Sequence, residues 1–72
     1  MQSSIYTNQG SLVVDQVIWS GVIRIIKQSD GTCERFYRIH GQPKFRKTGW
    51  GARAAKEFEA LIRKVRDEIY GA

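Results

Sequence analysis

Arg35–Lys56 reads RFYRIHGQPKFRKTGWGARAAK, and the spacing of its apolar residues changes part way along. Before Thr48, Tyr37 and Ile39 alternate with Phe36, Arg38 and His40, the period of two that belongs to a strand. After Trp50, the residues Ala54, Ala55, Phe58, Leu61, Ile62, Val65 and Ile69 recur at spacings of three and four, which collects them on one stripe of an α-helix. Gly41-Gln42-Pro43 divides the basic run at a turn. The window therefore predicts a strand over 32–40, a short strand over 44–48 and a helix after Trp50.

Working outward, the run LVVDQVIWSGVIRIIK over 12–27 is rich in Val and Ile and poor in helix formers. It reads as one long strand, or as two short ones broken at Ser20-Gly21. Ser29-Asp30-Gly31 is a hairpin turn, since Gly takes the positive φ that a tight reversal needs. Glu59 with Arg63 and Lys64 with Glu68 lie four apart and can pair on the outer face of the helix, and Gly71 marks its stop. The predicted fold class is α+β, a three-stranded antiparallel meander packed against one C-terminal α-helix. Residues 1–11 are polar and read as a flexible or loosely paired arm, which would supply a fourth strand if it pairs. Residues 12–72 then form a single β-β-β-α domain.

Seventy-two residues make one small domain, near the lower limit for a single hydrophobic core, so a large catalytic cleft is not expected. The single cysteine, Cys33, excludes an intramolecular disulfide and points to a cytoplasmic setting. No run approaches the ~18 apolar residues of a membrane span, and no basic start precedes an apolar segment. The formal charge is +5, and it is local. Seven Lys or Arg residues and no acid fall in 35–56, whereas the five basic residues elsewhere are outnumbered by all seven acids. Such a balance favours an acidic partner.

Parity sorts the basic window into faces. With a three-residue second turn, Ile39 lies opposite Phe45 and Arg38 opposite Arg46, which gathers Tyr37, Ile39 and Phe45 under the helix. Arg24, Phe36, Arg38, His40, Lys44, Arg46 and Thr48 then stand on the open face. A slip of one residue exchanges the two faces. A face that is merely solvated usually carries both signs, so the acid-free run points to nucleic acid, whose phosphates Lys and Arg neutralise with release of counterions.

Other chemistries find less support. His40 and Cys33 lack metal-ligand spacing, and Cys33 in a strand is a small core residue rather than a nucleophile. Gly41, Gly49 and Gly51 do not form a phosphate-cradling motif. No metal, cofactor or catalytic group is expected. Trp50 reads as a core plug between sheet and helix, with base stacking as the alternative. Val13, Val14, Val17 and Ile18 read as core or strand edge, with self-association as the alternative.

Residues 35–65, RFYRIHGQPKFRKTGWGARAAKEFEALIRKV, resemble the arm-type DNA-binding domain at the amino end of many tyrosine integrases. The likeness is carried by Phe36, Tyr37 and Arg38, by Gly41 with Pro43 and Lys44, by Arg46 and Lys47, by Gly49-Trp50, and by Ala54 or Ala55. Plant ethylene-response-type DNA-binding domains are similar in outline. Both resemblances imply a three-stranded sheet laid into the major groove with the helix packed behind it. The chain departs from the integrase pattern where Gly51-Ala52 replaces the usual Thr or Ser at the start of the helix. No recombinase constellation of Arg, His and Tyr accompanies it, so binding without cutting is expected.

The sequence thus predicts a small, non-catalytic, duplex-DNA-binding domain. Arg38, Lys44, Arg46 and Lys47 are its leading phosphate or base contacts, and Arg24, Arg35 and Arg53 flank them. Double-stranded RNA is disfavoured, while Phe36 leaves single-stranded nucleic acid open. The rival is a protein-interaction module, such as a phage-type inhibitor or regulatory subunit, that docks its basic face on an acidic protein surface.

Overall fold

The computed structural model describes residues 2–71. Strands β1 (Gln2–Asn8), β2 (Ser11–Ile18), β3 (Gly21–Lys27), β4 (Cys33–Ile39) and β5 (Arg46–Trp50) lead into one helix, α1 (Gly51–Tyr70). The strands form one open antiparallel sheet in the order β1-β2-β3-β4-β5. The α+β class and the C-terminal helix agree with the sequence pattern, and the strand count is larger than expected. The run 12–27 is two strands joined through Trp19-Ser20. The stretch read as an arm is β1, paired along its whole length with β2 from Gln2↔Val17 to Asn8↔Ser11. Its turn explains the difference, because Gln9 and Gly10 both take positive φ, 52° and 82°, as a tight two-residue hairpin requires.

The apolar stripe of α1 packs on one face of the sheet. Val14, Ile25 and Cys33 meet Ala54, Phe58, Leu61, Ile62 and Val65, with Ile5, Leu12, Ile23 and Ala55 partly buried around them. Burial pushes the Cys33 thiol upward in pKa, which makes it a small apolar core group. Two ion pairs tie the helix to the strands below, Arg35 with Glu57 and Lys27 with Glu59, the latter at 3.7 Å. Glu59 stays exposed and reaches Lys27 of β3, and among the described residues no ion pair joins it to Arg63. Gly21 is fixed by its neighbour: a Cβ there would lie 2.1 Å from the Arg38 carbonyl oxygen, so β3 and β4 meet this closely only without a side chain.

The β4–β5 register is where expectation and structure part. The connection runs over 40–45 instead of three residues, and the ladder shifts between Arg35 and Phe36, so Arg35 pairs with Gly49, Phe36 with Lys47 and Tyr37 with Arg46. Thr48 is the extra residue of a bulge. Arg46 accordingly shares the helix-side face with Tyr37, not the open face with Arg38, and Lys47 takes the open-face position. Phe45 is not under the helix: the guanidinium groups of Arg24 and Arg38 lie over its ring at 4.2 and 5.5 Å, and Arg24 is an open-face residue. Trp50 is not a core plug either. It is 70% exposed, because Ala54 and Phe58 already fill the space beneath the first helical turns.

Candidate nucleic-acid interface

The middle of the open face neutralises itself. Arg24 grips Asp15 across β2 and β3 with Nε to Oδ1 at 2.8 Å and Nη2 to Oδ2 at 3.0 Å, and the Tyr6 hydroxyl donates to the same carboxylate at 2.9 Å. The bidentate bond raises the Arg24 pKa, while burial and the bond to Asp15 raise that of Tyr6. Lys47 Nζ lies 2.6 Å from Glu34 and holds the Glu34 carboxyl below the usual carboxylate range. Phe36 sits half-buried between these pairs, opposite Arg24 and Lys47. Asp15 and Glu34 lie outside the acid-free window, and the sheet brings them onto its face.

Glu34 also sets a pH dependence. A carboxylate whose folded-state pKa is depressed stabilises the fold above its unfolded pKa, and that contribution is lost as pH falls through the folded value. Asp30 behaves alike, held down by the Thr32 hydroxyl and backbone N–H. The melting temperature is expected to fall as pH drops into and below the ordinary carboxylate range. Glu34→Gln should make that fall shallower, read by circular dichroism melts across acid pH, and an unchanged profile would show that the Lys47 pair contributes nothing.

Among the described residues, the sheet cations outside these ion pairs stand at its hairpin end, with Arg53 beside its edge, while Lys56, Arg63, Lys64 and Arg66 lie further along the helix. Arg38, half-buried on the open face, donates from Nη1 to the Gln42 carbonyl at 3.2 Å. Lys44 and Arg46 are exposed, and with Tyr37, Ile39, Gln42 and Pro43 they line a shallow cavity of about 350 Å³ at the hairpin end. Arg53 lines a second hollow with Thr48, Gly49 and Trp50. Arg38 and Arg46 therefore project to opposite faces of one hairpin, with Lys44 in the loop between.

Two predicted residues have structural roles. Arg35 lies on the helix side, bonded to Glu57 and, through Nη1, to the Thr48 hydroxyl at 2.7 Å; this bond holds the bulge. His40 donates from Nε2 to the Ile18 carbonyl at 2.9 Å, tying the β4 end to the β2–β3 hairpin. Sequence reasoning did not single out Trp19, which is 94% exposed at that hairpin tip. Its place in a Trp-Ser-Gly break between two strands was the available signal. No protein-family model, curated protein or solved structure matches the chain.

Proposed function

We propose that the chain is a non-catalytic DNA-binding domain that enters the major groove with its β4–β5 hairpin. The observation that carries this reading is the placement of unneutralised cations on both faces of one two-stranded ribbon, Arg38 on one side and Arg46 on the other, with Lys44 at the tip. The major groove, about 12 Å wide, admits a two-stranded ribbon, and phosphates then flank it on both sides. Arg53, at the start of the helix beside the outer strand, extends the positive edge. This mode differs from laying the sheet flat on its open face, where Asp15 and Glu34 would be brought towards phosphate.

With Arg38, Lys44, Arg46 and Arg53 each neutralising one phosphate, log K on duplex DNA should fall against log salt with a slope of about −3 to −4. Fluorescence anisotropy with labelled duplex, single-stranded DNA and RNA, at several salt concentrations, measures this. A slope near zero would overturn the proposal, and stronger binding to single strands would move the contact from groove to stacked bases. The protein-docking reading draws on Trp19 and Ile39, 94% and 43% exposed at the same end of the sheet, because a bare aromatic and an aliphatic group beside cations also suit a protein interface.

A further inference from the structure

The two edges of the sheet are built differently. β5 carries the devices that block strand addition: a bulge at Thr48, Gly49 within the strand, and the cations Arg46 and Lys47. Charges and bulges of this kind prevent edge-to-edge pairing. β1, QSSIYTN, has none of them. It contains no charged residue, no Pro and no Gly, and its register with β2 runs unbroken over seven pairs. Its outer edge is a regular row of backbone donors and acceptors.

A second observation lies on the helix. α1 starts directly after β5, passes Arg35 of β4 and Lys27 of β3, and reaches β1, where Ile5 packs against the core. Twenty residues at 1.5 Å each give about 30 Å of helix, against about 19 Å across five strands. The last buried residue is Val65, and the turns after it hold Ile69 and Tyr70, 56% and 83% exposed. The helix, which starts at β5 and touches β1, thus ends in bare apolar groups on the sheet face that carries Ile5, the face where a strand added to β1 would need a cover.

We infer that β1 pairs antiparallel with β1 of a second copy, making one continuous ten-stranded sheet whose joint is roofed by Ile69 and Tyr70 of both chains. A second copy fits better than another partner because the strand complements itself. Ile5 is the central residue of β1, so a dyad through it sets Ile5 against Ile5 and Tyr6 against Ser4, with no charge to repel. The charge of +5 on each copy does not oppose the contact, since the cationic β5 edge is four strands, about 19 Å, from the joint, well beyond a Debye length of about 8 Å. A closed isologous pairing also covers both open edges at once.

The test is sedimentation velocity of the full chain without nucleic acid, from low to high micromolar, which keeps it separate from DNA binding. A concentration-dependent species of twice 8.3 kDa is expected. Ser4→Lys with Thr7→Lys, both exposed on β1, should raise the dissociation constant at least tenfold while circular dichroism stays unchanged. Ile69→Ser with Tyr70→Ser should weaken the dimer without altering β1, and it decides the matter if the lysine variant fails to fold. A chain that stays monomeric throughout, or a dimer indifferent to both variants, overturns the inference.

Discussion

Lys44→Glu combined with Arg46→Glu is expected to lower duplex-DNA affinity by about 100-fold or more at physiological salt, with the circular dichroism spectrum unchanged. Each lost phosphate contact removes one counterion-release term, and each introduced carboxylate repels the phosphate it faces, so two reversals compound. The salt slope of the variant should be shallower by about two units for the same reason. Both side chains are exposed and have no acidic partner among the described residues, so the fold loses little. The matched control is Arg63→Glu with Arg66→Glu, which removes the same charge from exposed positions on α1 and should weaken binding less than about threefold, since screening cuts interactions beyond about 8 Å. Equal losses from the two pairs would mean that bulk charge binds. Arg46→Glu alone separates two docking modes: it should cost affinity if the hairpin enters the groove edge-on and leave it unchanged if the open face lies flat.

The elements legible in the sequence were those with a period long enough to stand out. Phe58, Leu61, Ile62 and Val65 on the helix declared the core, because burial of one face imposes that spacing; on the strands Cys33 read as core and Val14 as core or strand edge, whereas Ile25, fully buried, did not stand out from the Val/Ile run around it. The β4–β5 register was not legible. One extra residue at Thr48 reverses Arg46 and Lys47 between faces, and the only local sign was Gly49, a residue that in a strand often accompanies a bulge. The charge balance of the open face was also hidden. Asp15 and Glu34 stand outside the acid-free window, and only strand pairing sets them against Arg24 and Lys47. What the window did mark is the hairpin, where Arg38, Lys44 and Arg46 remain unneutralised. Trp50 misled because a tryptophan before an apolar helix reads as core when its exposure is unknown.

Phe58→Ala and Trp50→Ala invert the order of cost that side-chain size suggests. Phe58 is 2% exposed, it packs with the core residues of β2, β3 and β4, and Lys27 Nζ lies 5.8 Å from its ring centre. Removing the ring loses its transfer free energy and leaves a cavity that a sheet tied to the helix by Arg35–Glu57 and Lys27–Glu59 cannot fully close. The cost of such a truncation is about 3–5 kcal/mol. A domain of this size has about 5 kcal/mol to lose, so Phe58→Ala should be largely unfolded or melt near room temperature. Trp50 is larger, yet it is 70% exposed, and the Lys47 ammonium lies 5.9 Å from its ring centre. Trp50→Ala should cost about 1 kcal/mol or less. Thermal melts of the two variants give the comparison. A stable Phe58→Ala beside an unfolded Trp50→Ala would mean that the helix is seated through its first turn, with Trp50 inside, and the hollow beside Arg53 would then be filled.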